Sequence, residues 1–196
     1  MEVAGKKVAI LVHNYFEQSE FEQPLRALKE AGVGVTVITT DDAPLYGMRH
    51  AKMGSKFLAD LHLDHAQASD YDGLVLPGGV INADTLRMIP QAQQFAISFL
   101  DEGKVLAAIC HAPWLLVSAD AVEGQRLTSY YTLQDDIRNA GGEWIDQPVI
   151  IDHNLITSRQ PDDLPDFCKA ILKMLDATPL AGGPDGPSSM PVEPAP

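Results

Sequence analysis

The segment Val105-Leu106-Ala107-Ala108-Ile109-Cys110-His111-Ala112-Pro113 runs from a strand into a helix by way of a thiol. Val105 to Ile109 are apolar and rich in β-formers, the composition of a parallel strand buried on both faces. Ala112-Pro113 opens the first turn of a helix that continues through Trp114-Leu115-Leu116-Val117, where the missing proline N–H costs nothing. A Cys at this junction sits on a sharp turn, its sulfur exposed at the C-terminal edge of the sheet, with the N–H groups of the following helix directed at it. That is the layout of a nucleophile elbow with Cys in place of Ser. A helix N-terminus stabilises a thiolate, and the thiolate is the attacking species. A free Cys is more commonly a small core hydrophobe. A strand-end position with His alongside argues instead for a reactive thiol.

Working outward, Val8-Ala9-Ile10-Leu11-Val12 is a short apolar strand, followed by a polar loop and an amphipathic helix from about Ser19 to Ala31. Phe21, Leu25 and Leu28 share one face of that helix, and Gly32 stops it. Val33 to Ile38 is a second strand, and Asp72-Gly73-Leu74-Val75-Leu76-Pro77-Gly78-Gly79 is a third that ends in a tight glycine turn. A helix from about Pro90 to Glu102 precedes the Cys110 strand. Beyond it, Leu133 to Ala140 reads as helix, Glu143 to Ile145, Val149 to Asp152 and Leu155 to Ser158 as strands, and Pro161 to Leu175 as the last helix. Strands alternating with helices define an α/β sandwich with a mostly parallel sheet, whose working groups gather beyond the carboxyl ends of the strands.

The 196 residues fit one domain, residues 1–176, with a Pro/Gly-rich tail from about Ala177 to Pro196 that cannot bury enough surface to join a core. Two Cys make no disulfide framework, no signal segment precedes Lys6-Lys7, and no apolar stretch is long enough to cross a bilayer, so a reducing cytoplasm is expected and a membrane is not. A net charge of −13 argues against nucleic acid as a partner. No cofactor or metal is expected: His62-Leu63-Asp64-His65 lacks a zinc pattern and reads as a solvated loop. Cys168 falls in the apolar stripe of the last helix and reads as core. Asp135-Asp136 and Asp162-Asp163 read as solvated helix starts and caps.

Three strand ends offer groups to the thiol. After the first strand come Glu17 and Glu20; a carboxyl there can tune the acidity of Cys110 or accept its proton, and if buried it tends to be protonated at neutral pH. Helix-dipole placement explains Glu20 equally well, and the residues alone do not choose between Glu17 and Glu20. After the third strand, Gly78-Gly79 lets backbone approach a ligand, and an exposed N–H there together with the helix N–H of His111 provides a pair of oxyanion donors. His111 itself is a candidate general base for Cys110, although adjacent side chains at a turn usually diverge. Its alternative is to orient substrate or to bond an acidic group such as Asp84, on the loop after Gly79.

In this order, the motifs Phe16-Glu17-x-x-Glu20, Leu74-Val75-Leu76-Pro77-Gly78-Gly79, Ala108-Ile109-Cys110-His111-Ala112-Pro113, Leu127-Thr128-Ser129-Tyr130, Asn139-Ala140-Gly141-Gly142-Glu143-Trp144 and Thr157-Ser158-Arg159-x-Pro161-Asp162-Asp163-Leu164 resemble the PfpI family of the ThiJ/PfpI superfamily. The likeness covers about residues 6 to 175. It implies a flavodoxin-like three-layer sandwich of the class I glutamine amidotransferase type, with Cys110 as nucleophile, Glu20 as the carboxylic acid bonded to it, and the N–H groups of Gly79 and His111 as oxyanion donors. In members described as peptidases the counterpart of His111 pairs with an acid from a neighbouring subunit, which Asp84 matches best, in a loop one residue longer than the archetype. Glutamine hydrolysis is not implied, because Ser158-Arg159-Gln160-Pro161-Asp162 lacks the distal His. The regulator branch is not implied either, since no helix-turn-helix segment is present. The resemblance implies a stress-protective cysteine hydrolase of dicarbonyls or glycated groups, an intracellular cysteine peptidase, or a non-enzymatic oxidation sensor or redox chaperone. Small carbonyl or peptide substrates and a homo-oligomer, dimer or hexamer, are expected with it.

Overall fold

The computed structural model describes residues 2–41 and 44–178. The tail expected from Ala177 onward lies outside the described residues past Thr178. In chain order the elements are β1 (Lys7–Val12), α1 (Gln18–Glu30), β2 (Gly34–Thr39), β3 (Leu45–Arg49), β4 (Lys52–Phe57), β5 (Leu61–His62), β6 (Gly73–Leu76), α2 (Val80–Leu86), α3 (Pro90–Asp101), β7 (Val105–Ile109), α4 (Pro113–Ser118), β8 (Arg126–Leu127), α5 (Gln134–Asn139), β9 (Glu143–Trp144), β10 (Val149–Asp152), β11 (Leu155–Ser158) and α6 (Leu164–Ala177).

Seven strands form the central sheet in the order β10-β11-β7-β6-β1-β2-β5. Only β10 runs antiparallel to its neighbour. From β1 the chain first builds outward to β2 and β5, then returns to place β6 and β7 on the other side. The strand order therefore reverses between β1 and β6, and at such a switch point the carboxyl ends of the strands open a crevice.

Period-two burial explains the layers. Ala9, Leu11, Leu74, Leu76, Leu106 and Ala108 face a core shared with the helices between β6 and β9. Val8, Ile10, Val12, Val75, Val105 and Ala107 face the opposite core, which Phe21 and Leu28 of α1 and Phe167, Ile171 and Leu175 of α6 close. Both faces of each central strand are thus buried, which is why these strands read as unbroken apolar runs.

Some expectations need correction. The segment after Gly79 is a helix, α2, rather than a loop. Between β2 and β5 an antiparallel hairpin, β3–β4, packs over the start of α1. Cys168 is half-buried rather than in the core; Phe167 and Ile171 fill the apolar stripe around it, and burial raises its thiol pKa to about 11. Asp163 is not solvated: it is buried and held by two Arg159 nitrogens at 2.9 and 3.0 Å. The His62–His65 segment is not a plain loop: it ends β5 and forms a short 3-10 turn around the buried Leu63. Among the described residues, no helix is long and apolar enough to cross a membrane.

Candidate active site

The ends of β1, β6 and β7 meet at the switch point, and each delivers one part of the site. β7 delivers Cys110. Its φ of 62° lies in the left-handed region, which a Cβ-bearing residue occupies at a cost of about 1–3 kcal/mol. The turn is held in that shape from outside. The Cys110 N–H donates to the Ser158 carbonyl at 3.0 Å, and the Cys110 carbonyl accepts from the Tyr130 N–H at 2.8 Å. The strain aims the side chain back over the sheet edge, as an elbow requires. The sulfur is not exposed as the sequence suggested: Cys110 is only 7% accessible.

From the loop after β1, Glu20 enters in the first turn of α1. It does not serve as a helix cap. The residue is fully buried, and one carboxyl oxygen accepts the Gly78 N–H at 2.9 Å. The other oxygen has no nitrogen or oxygen partner, and the Cys110 thiol is the group to which the carboxyl couples. Burial, aided by the charge of Glu17, raises the Glu20 pKa to about 8. At neutral pH the carboxyl therefore holds a proton that it can donate to sulfur. Burial and the Glu20 charge push the Cys110 thiol up, while the N–H groups of Gly79 and His111 pull it down. With Glu20 protonated the carboxylate repulsion is absent, while burial still raises the thiol and the two amides still lower it.

β6 delivers Gly78 and Gly79. Because β6 lies between β1 and β7, Gly78 separates Glu20 from Cys110. A methyl group on it would stand 2.5 Å from the Glu20 oxygen and 2.7 Å from the Cys110 Cβ. The missing side chain is what lets acid and thiol meet. Gly79 has φ of +92°, and its N–H, like that of His111, bonds the Cys110 sulfur.

His111 does not diverge from its neighbour: its Nδ1 lies 3.1 Å from the Cys110 sulfur. The ring stacks on Tyr130 at 4.8 Å between centroids and meets Trp114 edge-on at 5.6 Å. Burial lowers its pKa, so a neutral imidazole faces the thiol. Asp84 sits solvent-exposed on α2 and outside the cavity lining, and no hydrogen bond or ion pair joins it to His111 among the described residues. Glu17 also lines the cavity, but its carboxylate is engaged elsewhere, accepting the His50 N–H at 2.9 Å. The cavity above the thiol measures about 620 Å³, and Tyr130, Val80 and Met48 form part of its wall. The stacking role of Tyr130 and the hairpin wall at Met48 escaped the sequence reading, because both arise from segments brought together only in space.

An α/β sandwich whose strained elbow presents a buried cysteine to a protonated carboxyl defines a class of cysteine-centred proteins. Comparison with known proteins places the chain within that class: it belongs to the DJ-1/PfpI family, which it matches over residues 6–174. It is 37% identical to general stress protein 18 of Bacillus subtilis over 88% of this chain and 99% of that protein. It is 36% identical to putative cysteine protease YraA of the same organism, over 87% and 99%. With protein/nucleic acid deglycase 2 of Escherichia coli it shares 38% identity over 88% and 99%. Among solved structures it superposes with a TM-score of 0.81 and 35% identity on a two-domain protein from Anabaena variabilis that contains DJ-1/ThiJ/PfpI-like and ferritin-like domains, covering 95% of this chain and 52% of that one.

Proposed function

We propose that the protein is a cysteine-dependent hydrolase of reactive dicarbonyls or glycated groups, acting in protection against stress. The observation that carries this reading is the junction of three groups: the buried Glu20 carboxyl and the His111 imidazole both meet the Cys110 sulfur at the base of the cavity. In this reading the sulfur adds to a carbonyl carbon, and the amides of Gly79 and His111 hold the developing oxyanion. Glu20 or His111 carries the thiol proton to that oxygen, which completes a hemithioacetal. With an α-oxoaldehyde, the proton on the hemithioacetal carbon moves to the adjacent carbonyl carbon, and the hydroxyl proton moves to the adjacent oxygen. The product is a thioester. Water cleaves it, returning the thiol and releasing a 2-hydroxy acid, so the sum is oxoaldehyde plus water. The names of the Escherichia coli and Bacillus subtilis relatives support the deglycase and stress parts of the reading.

Loss of methylglyoxal, followed with wild type beside Cys110→Ser, tests the proposal. The expected result is many turnovers in the wild type and a fall of at least about 1000-fold in the variant, the scale on which loss of a nucleophile is felt. Consumption that stops at one equivalent overturns it. A peptidase using the same thiol is the second reading, supported by the relative named as a putative cysteine protease. It calls for His111 to pair with Asp84 of another copy of the chain in a homo-oligomer. Cleavage of a peptide library that is lost in Asp84→Asn would favour it. As an oxidation sensor, the protein would instead take up oxygen at Cys110 in mild peroxide, and an unmodified Cys110 in the mass spectrum excludes that role.

A further inference from the structure

The cavity above Cys110 is biased in charge. Two carboxylates stand on its wall, Glu17 before α1 and Asp162 in the short 3-10 turn before α6. Glu17 is fixed in place. One of its oxygens accepts the His50 N–H at 2.9 Å, the other accepts the Ser19 hydroxyl at 3.3 Å, and its own N–H donates to the Gly78 carbonyl at 3.2 Å. Below them lies the wholly buried Glu20 carboxyl, which holds a proton at neutral pH and adds no charge of its own. No Lys or Arg lines the cavity among the described residues, and its only basic side chains are the imidazoles of His50 and His111. Of the cations next in sequence to wall residues, Arg159 is held by Asp163 and by Asp146 at 2.8 Å, and Arg49 and Lys52 of the hairpin are exposed and do not line the cavity. The remaining wall is uncharged, apolar or aromatic at Val80, Ile81 and Tyr130 and polar at Thr132 and Gln160.

An anionic ligand entering such a space loses water and meets like charges with no counter-charge, whereas a cation meets carboxylates and an aromatic face. We infer that the site selects by charge. It takes carbonyl compounds whose neighbouring group is neutral or cationic in preference to those bearing a carboxylate; Glu17 and Asp162 set the preference. The chemistry that follows capture rests on the function proposed above, but the recognition does not.

The test therefore reads recognition without turnover. In a Cys168→Ser background, Cys110 is modified by the cationic reagent 2-(trimethylammonium)ethyl methanethiosulfonate and by its anionic sulfonatoethyl counterpart. Each rate is divided by the rate on a small free thiol. The thiolate fraction of Cys110 is common to both reagents and cancels from their ratio. The expected ratio favours the cation by about tenfold or more, falls at least about fivefold in Glu17→Gln/Asp162→Asn, and is unchanged in the distant Asp101→Asn. A ratio near one overturns the inference. So does a high ratio that survives the double variant, because the net charge of −13 on the whole chain would then be the cause. A protein that turns over no dicarbonyl yet keeps the ratio would refute the hydrolase and leave charge selection standing.

Discussion

At Gly78 the absence of a side chain is what leaves room for Glu20 and Cys110. A Cβ there would collide with the Glu20 oxygen, the Cys110 Cβ and, at 2.8 Å, the Ile109 carbonyl, and two of these three are atoms that cannot swing aside. Gly78→Ala should cost about 1–3 kcal/mol in urea unfolding. It should also slow iodoacetamide alkylation of Cys110; a variant with wild-type alkylation would show that acid and thiol need not touch. Glu20 carries a separate prediction through pH. Its pKa is 4.5 ordinarily and about 8 when folded, so between those values the unfolded chain releases a proton that the folded chain keeps. The contribution of Glu20 to stability is complete below pH 4.5 and lost as pH rises through about 8. Glu20→Gln should remove that decline, which urea unfolding at pH 4.5 and 8.5 for both proteins will measure. Parallel pH dependences would place Glu20 outside the buried pair. Sequence alone left Glu17 and Glu20 equal, since both precede or open the same helix; only the resemblance favoured Glu20. The structure separates them by burial, turning one onto the His50 amide and the other under the thiol.

Among the elements, those that carry the site were legible because they are buried. β1, β6 and β7 are continuous apolar runs and α1 has a clear apolar stripe, so their type and approximate limits followed from periodicity. The hairpin β3–β4 was not legible. Its second strand, Lys-Met-Gly-Ser-Lys-Phe, is mostly exposed and shows no alternation. What holds it is Gln18, buried at 1% exposure, whose amide bonds Ser55 through both its nitrogen, at 3.2 Å, and its oxygen, at 2.8 Å. Gly47 and Gly54 make room for that side chain. Gln18→Ala should lower stability by about 1–3 kcal/mol. It should also speed hydrogen exchange at residues 45–57 while the central strands stay protected. Uniform exchange across the chain would contradict a locally docked hairpin. α2 escaped notice for a related reason: it is short, and its first two residues, Val80 and Ile81, are apolar yet exposed, so no amphipathic pattern marks it.

On the scale of the whole molecule, the two ends of the described chain are tied beneath the sheet, opposite the site. Lys6 is 3% exposed; its ammonium group donates to the Thr178 carbonyl after α6 and lies 3.9 Å from Asp72 at the foot of β6. Lys6→Met keeps much of the volume but leaves the buried Asp72 without this cation. The expected cost is about 2–4 kcal/mol, read as a lower urea midpoint with unchanged slope. An unchanged midpoint would show that the pair contributes nothing. The sequence by itself determined the class of fold, the approximate place of most buried elements and the position of Cys110 at the turn from strand to helix. These follow from local rules: period-two and helical burial, a proline at a helix start, and a Cys where an apolar run stops. Tertiary structure alone decided which carboxyl reaches the thiol, that His111 bends back to it, and that a glycine on an intervening strand makes the meeting possible. Those outcomes depend on strand order, which places β6 between β1 and β7. No local pattern records which distant segments will share a crevice.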